Sequence, residues 1–345
     1  MASNPMPVSV SSGKPAATIY DIARMTGFSP STVSRALHKP GRVGPATEKK
    51  VREAADALGY RINPMARFVT TGRTGTIALV LSDITNPVFF DLVRGAERMA
   101  AQQGQTLVVA ETLSSSEVEK ETVERLLPTV DGLVLASSRL EQELVRQFSS
   151  YKKVVLVNRN VEGVPSVVPL LLPGIRAAVD HLAGLGHKKL AYLAGPSALW
   201  MSRQRLKLLE AESARAGLSI VATTPSEPTL ESGRRALGEV FATGASAVVA
   251  YNDLMAIGLL LECREANKDI PRELSIVGFD DIFGSGFTSP SLTTIRTPLS
   301  LAGEEAVRLL VQSDEDAPGA TRDALVTEFV PRRSTGPAIR DLGQL

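Results

Sequence analysis

Residues 19–37 read IYDIARMTGFSPSTVSRAL. Ile19, Ile22 and Ala23 recur at i, i+3, i+4, so they share one face of a helix that Thr18 can cap. Gly27 stops that helix through the left-handed backbone glycine adopts without penalty. Ser29-Pro30 then reads as N-cap and N1 of a second short helix. Its inner face is Val33, Ala36 and Leu37, and Pro40-Gly41 ends it. A third helix is predicted from Pro45, with Val51, Ala54, Ala55 and Leu58 in register and Gly59 as its stop. Two short helices joined by a turn of a few residues and backed by a third make a helix-turn-helix unit.

The second helix leaves Ser31, Thr32, Ser34, Arg35 and His38 on its outer face, all polar and mostly short. Such a surface suits a helix entering a DNA major groove about 12 Å wide, where an arginine such as Arg35 can donate two parallel bonds to guanine O6 and N7. Charge supports the same direction. The 345 residues carry 38 Lys+Arg against 37 Asp+Glu, a net of only +1. Residues 1–75 hold eleven bases and four acids, a net of +7; the remaining 270 residues hold 27 and 33, a net of −6. A basic head on an acidic body points to a polyanion partner for the head alone.

Other classes are opposed by what the sequence lacks. A hydrophobic fraction of 43% supports buried cores. No apolar run approaches the ~18–20 residues of a membrane span. Residues 1–17, MASNPMPVSVSSGKPAA, read as a disordered Ser/Pro tail without the apolar core of a signal peptide. One cysteine, Cys263, cannot make an internal disulfide and fits a reducing cytoplasm. The three histidines, His38, His181 and His187, are scattered, and Ser114-Ser115-Ser116 has no matching His/Asp arrangement. With no GxxxxGK[ST] or HExxH motif either, neither catalysis nor a metal or other cofactor is expected.

After Gly59 come Tyr60, Arg61 and Ile62, then Asn63-Pro64, a further N-cap and N1 pair. The helix it opens is under two turns long and marginal alone in water, so it should form only against a partner. Met65, Phe68 and Val69 lie on one side of it.

From Thr76 onward, apolar runs alternate with helical periods. Strands are predicted at 76–82, 105–110, 131–136, 153–157, 189–194, 218–222, 247–251 and 274–279. Helices are predicted near 88–103, 117–127, 141–149, 174–185, 202–216, 230–242 and 253–267. This alternation implies parallel sheets covered on both faces, and too many strands for one small sheet. The Pro-rich stretch 164–173 suits a crossover between two lobes. Polar and aromatic residues gather just past strand ends, where a cleft would collect them. They include Phe89-Phe90, Arg159, Trp200, Arg205, Asn252 and Asp280. Arg205 and Asp280 could grip vicinal hydroxyls. Trp200 could stack on a ring or simply pack, whereas Asp253 and Asp281 read as capping or turn residues.

The segment 19–37, followed by NPMARFVTTGRTGTIALVL at 63–81, resembles the lactose/purine repressor (LacI) family of bacterial transcription regulators. The resemblance continues through TNPVFF, DGLVL, LGHKKLAYLAGP, NDLMAIG, IVGFDD and SPSLTTI, and spans residues 18–335. It implies an all-α helix-turn-helix DNA-binding head with a hinge helix, joined to a two-lobed α/β, periplasmic-binding-protein-like body. The expected boundaries are a tail at 1–17, the head at 18–62 and the hinge at 63–75. One lobe takes 76–167 with 297–322, the other 168–296 with 323–335, and a tail 336–345.

By resemblance, Pro30 and Ser31 help select the operator and Arg35 is the major-groove arginine. Tyr20, Thr32, His38 and Asn63 match positions near phosphates, and Arg42 lies near the DNA. Proline has no side-chain donor, so Ser31 and Arg35 should carry direct readout. Ser29, Ser34, Met65 and Ala66 complete the expected DNA-facing set. The family wedges a leucine between central base pairs; Val69 stands there, and either Val69 or Phe68 could serve.

In the cleft, Arg205, Asp280 and Asn252 match effector-binding positions, with Phe89, Phe90, Arg159 and Trp200 beside them. The implied effector is a small molecule such as a sugar or sugar derivative. Two departures weaken hydroxyl recognition: Val168-Pro169-Leu170-Leu171-Leu172-Pro173 replaces a polar segment, and Pro228 replaces an aromatic residue. The expected protein is a cytoplasmic repressor binding palindromic operator DNA as a homodimer, since one short head is too little surface for a tight specific complex. No leucine heptad follows Arg332-Arg333, which favours a dimer over a tail-linked tetramer. The rival reading is a secreted sugar-binding transport component, which the basic head and missing signal peptide oppose.

Overall fold

The computed structural model describes residues 17–38, 41–60, 72–312 and 325–338. The chain divides into two compact units, Met1–Arg73 and Thr74–Leu345.

In the smaller unit, α1 (Ile19–Thr26) starts at Thr18, whose backbone N–H and hydroxyl both donate to the Asp21 carboxylate at 2.9 and 2.7 Å. It ends at Gly27, whose φ of 79° is the left-handed stop that a side chain would resist. Helix α2 (Pro30–His38) and α3 (Pro45–Ala57) complete the three-helix unit. Ile22, Val33, Ala36 and Val51 are fully buried at its centre. The apolar periods therefore place their residues inward, with one exception. Leu58 falls past the end of α3 and stays exposed, while Tyr60 packs against the core instead.

The larger unit holds two sheets. The first, in order β2-β1-β3-β4-β5, is wholly parallel: β1 (Thr76–Leu81), β2 (Thr106–Glu111), β3 (Gly132–Ala136), β4 (Lys153–Val157) and β5 (Ser166–Val167). Leu79 pairs with Val109 on one side and Val134 on the other. Helices α4 (Val88–Gln102), α5 (Ser116–Leu126) and α6 (Gln142–Tyr151) cover it, with an apolar cluster on each face.

The second sheet runs β11-β10-β9-β8-β6-β7: β6 (Lys189–Leu193), β7 (Ser219–Ala222), β8 (Ala247–Ala250), β9 (Ser275–Asp280), β10 (Thr293–Arg296) and β11 (Glu328–Val330). Only the β10–β11 pair is antiparallel. Its helices are α7 (Leu172–Gly184), α8 (Trp200–Arg215), α9 (Leu230–Arg235), α10 (Leu237–Ala242) and α11 (Asp253–Glu265). The single helix expected at 230–242 is two, because the chain tightens at Ala236, whose N–H bonds back to Gly233 and Arg234. Strands β5, β10 and β11 and the helix α12 (Leu299–Val311) extend the predicted set.

Helix α12 returns to the first sheet after β10 has joined the second, packing along α4. The two backbones meet at glycines: a Cβ on Gly95 would lie 1.9 Å from the Ser300 carbonyl oxygen, and one on Gly303 2.2 Å from that of Leu92. Gly95→Ala should force the helices apart and cost about 1–3 kcal/mol by urea unfolding. A variant as stable as the native chain would show that this contact is slack. Beside α12, two further connections run together: Leu170 donates to the Leu325 carbonyl at 2.9 Å, and Thr327 donates back to Leu170 at 3.1 Å. The Val168–Pro173 run thus lies in this connection. Among the described residues, no helix is long and apolar enough to cross a membrane.

Candidate nucleic-acid interface and effector cleft

The helical head presents one polar face. Ser29 caps α2: its hydroxyl accepts from the Thr32 N–H at 3.2 Å and lies 2.9 Å from the hydroxyls of both Ser31 and Thr32. The cap fixes where α2 begins and so where its side chains point. Val33 and Ala36 are buried, which turns Ser31 and Arg35, at i and i+4, outward and exposed. Pro30, Thr32 and Ser34 are half-buried around them. Tyr20 on α1 is 64% exposed, and Arg42 is exposed beyond α2. Other bases are partly engaged: Arg52 pairs with Glu48 at 2.8 Å, and Lys50 lies 5.4 Å above the Phe28 ring. The His38 side chain and all of Asn63, Met65, Ala66, Phe68 and Val69 lie outside the described residues.

In the larger unit, the ends of β1, β3, β6, β8 and β9 feed a cleft between the two sheets. That position follows from topology, since ligands of parallel sheets bind beyond the carboxyl ends of strands. Phe89, Arg205, Asn252 and Asp280 line it together. Arg205, 3% exposed, donates through Nη2 to Asp280 Oδ1 at 2.6 Å and through Nη1 to the Tyr251 carbonyl. Its guanidinium lies 3.7 Å from the Phe279 ring centroid. Burial opposes the Arg205 charge, and the Asp280 charge and hydrogen bond together with the Tyr251 and Tyr192 phenols outweigh it, so the group stays above its ordinary value. Asp280 holds φ at 104°, a backbone conformation that side-chain-bearing residues rarely adopt.

Asn252 stays in the cleft, while Phe90, Arg159 and Trp200 lie apart from it. Asn252 caps α11 by accepting from the Met255 N–H at 3.0 Å, and its amide donates to the Pro228 carbonyl at 3.0 Å. Phe90 is 45% exposed and faces an adjoining cavity, which Asp280 also borders. Arg159 and Trp200 line a narrow space behind Leu199 and Met201, where Arg159 donates to the Ser138 carbonyl at 2.9 Å. The cleft also collects Asn86, Arg139 and Tyr251, which the sequence reading did not single out. Arg139 follows β3 and Tyr251 follows β8, so the strand-end rule applied to every strand would have found both. Gly195 admits the Tyr251 ring, which a Cβ there would meet at 2.4 Å.

Asp253 and Asp281 hold the segment after β9. Asp281 pairs with Arg296 at 2.8 Å and Arg332 at 2.6 Å. Asp253 is wholly buried and accepts from the Ile282 N–H at 2.9 Å and the hydroxyls of Ser285 and Thr294 at 2.5 and 2.6 Å. A side chain at Gly278 would strike its carboxylate. Burial pushes the Asp253 carboxyl up from 3.8 to about 7 in spite of those donors. Between these values the folded chain keeps a proton that the unfolded chain has lost. Stability should therefore fall as pH rises from about 4 to about 7. Asp253→Asn, with its oxygen kept toward the Ile282 N–H and Ser285 and its amide donating to a rotated Thr294 hydroxyl, should flatten that slope in urea unfolding across the same range. An unchanged slope would place the titration elsewhere.

Comparison with known proteins agrees with both units. Residues 18–63 match the profile of bacterial regulatory proteins, lacI family, and residues 179–335 that of the periplasmic binding protein-like domain. The chain is 30% identical to the HTH-type transcriptional repressor CytR of Escherichia coli (strain K12), over 93% of this chain and 96% of that one. It is also 30% identical to the ribose operon repressor of the same strain, over 86% and 92%. A lac repressor dimer bound to operator and the anti-inducer ONPF superposes with a TM-score of 0.81 at 25% identity, covering 93% of this chain and all of that one. A complex of the transcriptional regulator CelR with cellobiose superposes with a TM-score of 0.65 at 26% identity, covering 92% and 99%. With a capped three-helix head, a cleft between parallel sheets and relatives matched over nearly their whole length, the chain belongs to the LacI family of bacterial transcriptional regulators.

Proposed function

We propose that this protein is a transcriptional repressor that binds a palindromic operator as a homodimer, with affinity set by a small molecule in the cleft. The observation that carries the reading is the exposed pair Ser31 and Arg35 on a helix fixed by the Ser29 cap, within a segment of net charge +7. Relatives that are repressors, and a lac repressor dimer seen on operator, support it. In this reading Tyr20, Thr32 and His38 approach phosphates around α2, and Ser29 and Arg42 lie near the DNA. Residues 63–75 act as the hinge, with Asn63 near a phosphate and Met65, Ala66, Phe68 and Val69 toward the minor groove. The body divides into lobes 76–167 with 297–322 and 168–296 with 323–335, and the effector lies among Phe89, Arg205, Asn252 and Asp280. The cellobiose complex of CelR supports a sugar or sugar derivative as one ligand class. A protein acting on chromosomal operators works in the cytoplasm.

Selection of bound DNA from a random pool tests the reading. An inverted repeat should emerge, and log affinity for it should fall linearly with log salt concentration. Enrichment of no repeated half-site, or binding indifferent to salt, would contradict it.

A further inference from the structure

Two cations line the cleft, Arg139 and Arg205, and they are balanced differently. Arg205 is matched within its own lobe by Asp280 at 2.6 Å, and both are buried. Arg139 follows β3 in the first lobe, where its backbone N–H donates to the buried Glu119 carboxylate at 2.8 Å, and its guanidinium is paired from the second lobe: Nη2 lies 2.8 Å from Glu227 Oε2. The Arg139 side chain is 16% exposed and that of Glu227 55%. The cation is set into the cleft wall, and the anion comes to it from solvent. Glu227 occupies only one prong of the guanidinium, because Arg139 Nε is buried and has no hydrogen-bond partner. Nε and Nη2 form one edge of the arginine fork, the edge that binds both oxygens of a carboxylate or phosphate in parallel. Behind the cleft Arg159 is already committed to Ser138, with the Glu119 charge nearby.

We infer that the effector is a small organic anion whose carboxylate or phosphate takes both prongs of Arg139 and displaces Glu227. The inference rests on the proposed effector role of the cleft and names the ligand chemistry for it. Glu227 stands in for the ligand's anionic group when the cleft is empty, and its displacement removes a direct ion pair between the lobes.

Isothermal titration of the full chain with inorganic phosphate and with malonate, at fixed pH and ionic strength, tests this in the native protein, Arg139→Gln and Glu227→Gln. Anions held by the basic head bind all three alike and drop out of the comparison. Arg139→Gln should weaken the cleft anion by roughly ten- to a hundred-fold, the scale of a hydrogen bond to a charged group. Glu227→Gln should tighten it by removing the competitor. Whichever of phosphate and malonate responds identifies the group. Equal binding by all three proteins, no binding of either anion, or weakening by both substitutions would overturn the inference; the last is what a merely structural ion pair predicts. Operator affinity without added anion separates this failure from that of the repressor reading. If the inference alone is wrong, the native protein still binds operator.

Discussion

Replacing Asp280 with alanine is expected to lower the stability of the larger unit by about 3–5 kcal/mol, among the largest effects a single substitution can have. Arg205 cannot shed its charge, since a guanidinium stays protonated throughout the working pH range. At 3% exposure it cannot reach water either. Without Asp280 its remaining neighbours are the Tyr251 carbonyl and the faces of Phe279 and Tyr251, which do not neutralise a cation. Thr297, whose hydroxyl lies 3.3 Å from Asp280 Oδ1, is the other group left facing the gap. Asp280→Asn keeps an acceptor and should cost less. Replacing both partners by apolar residues, as in Arg205→Met with Asp280→Leu, should recover much of the loss, because no charge is then stranded. Urea unfolding of the three proteins checks the order. A mild effect of Asp280→Ala alone would mean that Arg205 finds solvent by a rearrangement of the cleft.

Arg35→Ala is expected to weaken operator binding by about 1–3 kcal/mol per half-site, felt twice by a homodimer. Arg35 is exposed while Val33 and Ala36 of the same helix are buried, so truncation should leave the fold of the head intact and remove only its reach into the groove. Discrimination should relax at the one base step the guanidinium reads and persist at the others. Titration of the selected site and of its single-base variants measures both effects. Uniform weakening at every variant would reassign Arg35 to a phosphate.

What was legible in the sequence follows the physics of each element. The runs TIALVL and AVVA are buried on both faces, so near-continuous apolar residues marked their strands without alternation. Strand β10, TTIR, hid because Thr293 and Thr294 are buried polar residues, satisfied by Thr335 or Arg332 in one case and Asp253 in the other. The two-residue β5 is too short to carry a period. Helix α12 did carry one, in Leu299, Ala302, Gly303, Ala306, Val307 and Leu310. What no local pattern shows is its return to the first sheet, which the Gly95–Ser300 approach makes possible. The cleft was legible where a charged residue closes a strand, as at Asp280. It was not where pairing is long-range: nothing near Arg139 announces Glu227, 88 positions further on.

The basic head, and not the body, is expected to recognise DNA. The most direct test is the affinity of the selected operator for the intact chain and for a chain beginning at Thr74, the first residue of the larger unit. Specific binding should be lost without residues 1–73, while the body keeps its cooperative unfolding transition. Equal operator affinity of the two chains would contradict the account.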